Sequence, residues 1–151
     1  MKYLAQLNIA KLLKPIDHPQ ISEFRENLDR INRLAEESKG FVWRLQDEYG
    51  SATNIQAFDN PNFIVNMSVW ETIEDLKNYV FKSGHAEIMK KRKKWFEKHT
   101  SHYMVMWWVD QAHIPTLEEA IERLDYLKAH GESEYAFSFK GLKPASKMYG
   151  S

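Results

Sequence analysis

Apolar and polar positions alternate in four segments of the chain, and this period of two is typical of β-strands. The predicted strands span residues 3–12, 41–48, 63–70 and 102–109. Along the first three, one face is apolar, whereas the other mixes apolar side chains with amides, a serine and an arginine. We therefore expect the apolar face of the sheet to be the seat of the helices.

Apolar residues three to four positions apart predict four helices. The predicted helices span residues 21–40, 71–81, 83–99 and 115–131. The last is the clearest, because Thr116 can cap its start, Glu119 completes a capping box and Gly131 can end it. The second has a similar start, from Thr72 through Asp75. A short strand at 134–139 follows this helix.

The order of these elements predicts the fold class. Strand, helix, strand, strand, helices and strand match the split βαβ pattern of a ferredoxin-like α+β domain, an antiparallel sheet with helices on one face. No linker or repeat divides the chain. We therefore expect a single domain over residues 1–140 and a loose C-terminal tail over 141–151.

The mixed face of the sheet is the main clue to function. Residues 104–109 are an unbroken apolar run, so both faces of that strand need cover. The mixed face is too apolar for open water and too polar for a dry core, where each unpaired amide would cost about 1–3 kcal/mol. Such a surface suits the wall of a ligand cavity.

We expect a second protomer to cover this mixed face and to enclose a pocket between the two sheets. Asn66 and Trp70 belong to the expected lining. The pattern leaves open whether the last strand adds Met104, Met106 and Trp108 or instead Val105 and Trp107. The alternative is a solvated face with scattered aromatic residues.

Composition narrows the classes of function. The 151 residues carry 21 basic and 21 acidic side chains and no cysteine, which removes a global field for nucleic acid, disulfides and thiolate chemistry. The basic run at 90–94 is short and fits a solvated helix face. No apolar run approaches the roughly 20 residues that span a membrane. We expect a cytoplasmic protein that binds neither nucleic acid nor membrane.

Motifs for several common chemistries are missing from the sequence. There is no G-x-S-x-G, P-loop or G-x-G-x-x-G motif, which argues against an esterase, an NTPase and a dinucleotide enzyme. His99 and His102 are three residues apart, but no nearby pair of carboxylates completes a metal site. We therefore predict no metal centre.

Five segments carry a resemblance to a known family: "GFVWRLQDE", "SVWETIEDLKNYVFKSGH", "KKWF", "MWWVDQAHIPTLEEAIERLDYLKAHG" and "AFSF". Together they resemble the domain-of-unknown-function 3291 family, which is similar to the dimeric α/β-barrel superfamily. The resemblance implies a homodimer of ferredoxin-like domains. That superfamily includes cofactor-independent quinone-forming monooxygenases, haem-degrading enzymes and members without a known reaction.

Two residues are candidates for chemistry. His85 begins the third predicted helix and could serve as a general base or a haem ligand; its alternative is a structural hydrogen bond to a loop. Arg44 lies on the mixed face and could hold an anionic group; its alternatives are solvent exposure or an ion pair with Asp47 or Glu48.

Aromatic residues are candidates for the walls of the site. Trp70, Trp108 and Phe139 could stack on a planar substrate, with Asn66 and Met106 beside them, although each aromatic could equally be core. The leading hypothesis is a homodimeric, monooxygenase-like enzyme for a planar or aromatic molecule. A non-catalytic ligand- or haem-binding module and a structural dimer are the alternatives. No cofactor is predicted, and haem is the one that the resemblance leaves open.

Overall fold

The structure is a computed structural model that describes residues 2–46, 62–98 and 103–141. Its four strands are β1 (Lys2–Lys11), β2 (Phe41–Arg44), β3 (Phe63–Trp70) and β4 (Met104–Asp110). They form one sheet in the order β2-β3-β1-β4, and all neighbouring strands are antiparallel. This is the ferredoxin-like α+β arrangement that the order of elements predicts.

Four α-helices pack on the sheet. They are α1 (Ser22–Glu36), α2 (Ile73–Lys82), α3 (Gly84–Met89) and α4 (Leu117–His130), and short 3₁₀ turns lie at Pro19–Ile21, Arg92–Lys94 and Phe139–Gly141. Thr72 and Thr116 cap α2 and α4, each accepting a hydrogen bond from the backbone N–H three residues on, as the sequence predicts. Gly131 ends α4 with a φ of +78°.

Four predicted elements are wrong in extent or type. The strand predicted at 41–48 ends at Arg44, and the helix predicted at 21–40 ends at Glu36. The helix predicted at 83–99 ends at Met89, because the chain then turns and residues 95–97 pair with the end of β1 through Trp95 O and Glu97 N. The strand predicted at 134–139 is a single bridge between Phe137 and Met106. Ser133 Oγ and Glu132 Oε1 accept hydrogen bonds from the backbone N–H groups of Ala136 and Ser138, so these two groups bond within the segment and not to β4.

One face of the sheet, called here the α4 face, is fully apolar. It consists of Ala5, Leu7, Ile9, Val65, Met67, Val69, Val105, Trp107 and Val109, all buried. Ala120, Leu124 and Leu127 of α4 pack against it. Trp107 Nε1 also donates a hydrogen bond of 2.8 Å to the Glu119 carboxylate. That carboxylate therefore binds the indole of β4, and does not complete the capping box predicted for the start of α4.

The opposite face, called here the amide face, carries the amides. It consists of Leu4, Gln6, Asn8, Ala10, Ile64, Asn66, Ser68, Trp70, Met104, Met106 and Trp108, as the pairing register shows. Helices α1 to α3 lie on this side, where they pack in two apolar clusters that also include Leu4, Trp70 and Met106.

The expected seating of the helices is therefore wrong. The first three helices cover the mixed surface, and the apolar surface receives α4. The two-residue period of a strand shows which side chains share a face of the sheet. The direction of the crossover connections decides which of the two faces a helix covers.

Both faces of the sheet are covered within one chain. A second sheet is consequently not what covers the mixed surface, contrary to our expectation. Among the described residues, no helix is both long and apolar enough to cross a membrane.

Candidate functional site

A cavity of about 110 Å³ lies between the amide face and helices α1 and α3. Its polar lining residues are Asn8, Asn32, Asn66, His85 and Arg92. Its apolar lining includes Phe24, Leu28, Ile31, Ile64, Met89 and Phe96. Because a cavity of roughly 150 Å³ holds benzene, this smaller one has room for at most a single ring, whose substituents would extend towards solvent.

Asn66 opens the centre of the sheet to this cavity. It lies in the middle of the inner strand β3, opposite Asn8 of β1, yet its side chain is exposed. Its neighbours Gln6 and Ser68 on the same face are buried. Solvent therefore reaches the sheet at this point, between helices that close the rest of the amide face.

A hydrogen-bonded network orders the buried polar groups beside Asn66. Gln6 Nε2 donates to Asn66 Oδ1 and to Ser68 Oγ, each at 2.7 Å. Trp70 Nε1 donates to the same Ser68 oxygen at 2.8 Å. The network pairs amides that would otherwise be costly under the helices, and it links the cavity to a tryptophan with no exposed surface.

His85 enters the cavity from the start of α3. Its backbone N–H donates to Ser83 Oγ at 3.1 Å, and its Nδ1 lies 3.3 Å from the carbonyl oxygen of Val80. A proton on Nδ1 makes the second contact a hydrogen bond and leaves Nε2 as the acceptor of the ring. Burial lowers the pKa of His85, partly offset by the Val80 carbonyl, so the neutral ring is favoured.

An aromatic stack supports the imidazole. The Tyr79 ring lies 4.9 Å from His85 and 5.2 Å from Trp70, between centroids. Burial raises the pKa of Tyr79 well above its usual value, against the opposing charge of Arg44, so the phenol stays protonated. Its hydroxyl donates to the Ile31 carbonyl at 3.2 Å, which ties α2 to α1. The imidazole is thus held from one side by a fixed ring.

The cavity favours an oxygen-rich or anionic ligand. Arg92 supplies a positive charge, with its guanidinium 5.6 Å from the centroid of the Phe96 ring. Asn8, Asn32 and Asn66 supply amide groups, and no acidic side chain is among the described residues of the lining. A cation and several amides complement a ligand oxygen that carries negative charge.

Arg44, the predicted anion holder, lies away from this lining. Its Nε donates to Glu36 at 2.9 Å, and only 10% of its side chain is exposed. The predicted partners Asp47 and Glu48 lie outside the described residues, as do His99 and His102. The structure therefore puts Arg44 in an ion pair between β2 and α1, and Arg92 is the arginine at the cavity.

The predicted wall residues divide in the same way. Asn66 lines the cavity, whereas Trp70, Met106, Trp108 and Phe139 belong to the apolar cluster under α2. Phe139 packs against Phe81, with 5.4 Å between ring centroids. Trp70 is linked to the lining by hydrogen bonds through Ser68 and Gln6.

Three polar lining residues were not predicted as site residues. Arg92 belongs to the basic run at 90–94 that we expected to form a solvated helix face, and no pattern in the sequence singled out Asn32. Asn8 was on the mixed face, but only the register that sets it opposite Asn66 brings it to the cavity. The available signal was its spacing, because Asn8 lies two residues after Gln6 on the same strand and therefore on the same face of the sheet. Among the described residues, no group of three or more His, Asp and Glu could hold a metal ion.

A porphyrin needs several times the volume of a single ring, so haem does not fit the cavity of about 110 Å³ as described. The Nε2 atom of His85 is of a type that ligates haem iron. Without space for the macrocycle, haem has no part in the chemistry derived below.

Comparisons with known proteins agree with this fold. A family model described as "Domain of unknown function (DUF3291)" matches residues 3–150. No curated protein matches. A conserved protein from Methanosarcina mazei Go1 is similar in structure, with a TM-score of 0.51 and 12% identity over 73% of this chain and 93% of its own.

Two further solved structures have lower TM-scores. SnoaB, a cofactor-independent oxygenase from Streptomyces nogalater, has a TM-score of 0.47 and 15% identity over 79% of this chain and all of its own. A putative antibiotic biosynthesis monooxygenase from Nitrosomonas europaea has a TM-score of 0.45 and 14% identity over 72% and 86%. At 12% identity the similarity to the Methanosarcina protein shows the fold alone, and the two structures with TM-scores below 0.5 add no argument.

Proposed function

The chain belongs to the DUF3291 family, and we propose that it binds a planar phenolic molecule in the cavity and promotes its oxidation by dioxygen without a cofactor. The observation that carries this proposal is the setting of His85. An imidazole whose pKa is lowered by burial, and whose Nδ1 lies 3.3 Å from the Val80 carbonyl oxygen, lines a cavity that also holds a cation and amides. That arrangement suits deprotonation of a weakly acidic hydroxyl.

Binding follows from the shape and chemistry of the lining. Phe24, Ile31 and Phe96 provide apolar contact for the two sides of a ring. Arg92 and Asn66 offer partners for its oxygen atoms. Because the cavity is about the size of one ring, larger substituents would extend towards solvent.

The chemistry needs only a base and dioxygen. His85 Nε2 takes the phenolic proton, and the electron-rich phenolate passes electrons to O₂ until a carbon–oxygen bond forms at a ring carbon. The resulting hydroperoxide loses water as its O–O bond breaks. One oxygen atom of O₂ ends as a quinone carbonyl and the other as water, so a phenol and O₂ give a quinone and water. The apolar walls of the cavity exclude water, which limits side reactions of the intermediates with water.

The proposal also includes a homodimer, which the likeness to dimeric α/β-barrel proteins supports. The lining described above comes from a single chain, so the chemistry does not depend on the second protomer. Light scattering at micromolar concentration tests the assembly separately from the activity.

Oxygen uptake with single-ring hydroquinones and phenols tests the function. We expect uptake above the spontaneous rate, with one O₂ consumed per quinone formed from a phenol. His85→Gln should lower the rate by about 100-fold, the usual contribution of a general base. His130→Gln is the matched control, because His130 is exposed and bonds only to its own helix at the Tyr126 carbonyl.

The pH profile provides a second criterion. Since the pKa of His85 lies below 6.5, the rate should reach its plateau by neutral pH. Ligands that stabilise the protein without any oxygen uptake would overturn the catalytic part and support a binding module. An equal loss of rate in both histidine variants would overturn the role of His85.

A further inference from the structure

We infer that buried Gln6 sets the polarity of Asn66, so that the cavity selects a ligand with an oxygen acceptor at that position and rejects an N–H donor. This inference rests on the proposed function, because it concerns the same cavity. Gln6 touches no ligand in this scheme and is a positioning residue.

The atoms of the network carry the argument. An amide nitrogen has two hydrogens, and Gln6 Nε2 uses both, one on Asn66 Oδ1 and one on Ser68 Oγ, at 2.7 Å each. The oxygen of Asn66 is therefore engaged on the buried side. Its Nδ2 hydrogens remain for the exposed side, where the cavity lies.

Burial makes a turn of the Asn66 amide by itself costly. Gln6 is 4% exposed and Ser68 is 5% exposed, so water cannot replace a lost partner. Trp70 Nε1 is a donor only, and it occupies one lone pair of Ser68 Oγ. If Asn66 alone turned over, its NH₂ group would face the NH₂ group of Gln6, and a buried donor would lose its acceptor.

A reversed network is the competing arrangement. Gln6 and Asn66 would both turn over, Ser68 would donate to Gln6 Oε1, and Asn66 would present Oδ1 to the cavity. The two arrangements predict opposite ligands: a carbonyl or phenolate oxygen in the first, an amine or amide N–H in the second. Arg92 in the same lining agrees with the first, because it is also a donor.

Two neutral probes of similar size distinguish these polarities. 4-Fluoroacetophenone offers a carbonyl acceptor and no N–H, whereas 4-fluoroaniline offers N–H donors and a poor acceptor. Titration of each probe followed by ¹⁹F NMR gives its Kd for the full chain. We expect the ketone to bind about tenfold more tightly, the difference that one desolvated hydrogen bond supports.

Asn66→Asp inverts the polarity with little change of shape. Gln6 Nε2 can still donate to one carboxylate oxygen, and the other oxygen then faces the cavity as an acceptor. The preference should reverse, with the ketone about tenfold weaker and the aniline tighter. Asn78→Asp is the matched control, since it is the same substitution at an exposed position of α2 outside the lining, and it should keep the wild-type preference.

Gln6→Leu is the second variant. Without Gln6, Asn66 can turn freely, so the two probes should bind with affinities within about threefold, the loss of a tenfold preference. Circular dichroism would show that the fold persists. A wild-type preference for the aniline, or an unchanged preference in Asn66→Asp, would overturn the inference while the cavity stands. Failure of both probes to bind the wild-type chain would instead overturn the proposed function.

Discussion

The α4 face and the amide face are two sides of one sheet, yet they are closed in different ways. On the α4 face, apolar and aromatic side chains meet the apolar stripe of α4, the one indole N–H among them bonds to Glu119 of that helix, and no amide interrupts the contact. On the amide face, Gln6 and Ser68 are buried only as members of a network, and Asn66 stays exposed where that network ends.

The difference teaches where a cavity can persist in a small sheet. Every contact that buries apolar surface stabilises the fold, so an apolar face becomes fully covered. A surface with amides can close only where each amide finds a partner, so it remains open at the last one. The cavity lies at that place, beside the imidazole and the arginine that α3 and the following turn supply.

The same Leu→Ala truncation should show the largest difference between the two faces, measured as the loss in the free energy of unfolding. Leu124→Ala on α4 removes a side chain that is 1% exposed, and we expect a loss of about 3 kcal/mol in the free energy of unfolding. Leu28→Ala on α1 should cost only about 1 kcal/mol, because Leu28 is half-buried and already borders the cavity. Urea denaturation measures both, and equal losses would contradict the distinction.

Charge on the amide face should separate the two arginines. Arg92→Gln should weaken binding of 4-fluorobenzoate about tenfold, since it removes the positive charge from the lining. Arg44→Gln should leave that Kd within about twofold, because Arg44 is committed to Glu36 and lies off the lining. Titration by ¹⁹F NMR decides between them, and a larger effect from Arg44 would restore the assignment made from the sequence.

The smallest expected difference is in the pH dependence of stability. Burial lowers the pKa of His85 below 6.5, so the unfolded chain takes up this proton before the folded chain does. The contribution of His85 is complete above about pH 6.5 and is lost as the pH falls from there through the lower folded pKa. His85→Gln should remove this slope, and His130→Gln should keep it. Urea denaturation between pH 7.5 and 5.5 provides the measurement.

On the α4 face, the corresponding loss of stability depends on Glu119 and should occur at lower pH. Burial raises its pKa, but the hydrogen bonds from His113 and Trp107 outweigh burial, so the net pKa lies below 4.5. Its stabilisation is present above about pH 4.5 and is lost as the pH falls through the folded value. Glu119→Gln should therefore leave the slope above pH 5.5 unchanged, and a flattened slope there would contradict the assignment of that slope to His85.

Local patterns in the sequence predict most of the fold. Alternation gives the bounds of β3 correctly, and the threonine caps of α2 and α4 form as predicted. These features depend on neighbours within a few residues, so one chain segment contains the required information. Of the predicted site residues, His85 and Asn66 line the cavity. The sequence could single them out because each is a polar residue within a helix or strand whose pattern is otherwise regular.

Tertiary structure decided what local patterns could not contain. Alternation grouped the residues of each face, but the crossover connections chose the amide face for α1 to α3. Arg92 reaches the cavity because α3 ends early and the chain turns to pair with β1, so a residue of a basic run lines the site in place of Arg44. Such placements depend on contacts between distant segments, whose register and packing no single segment specifies.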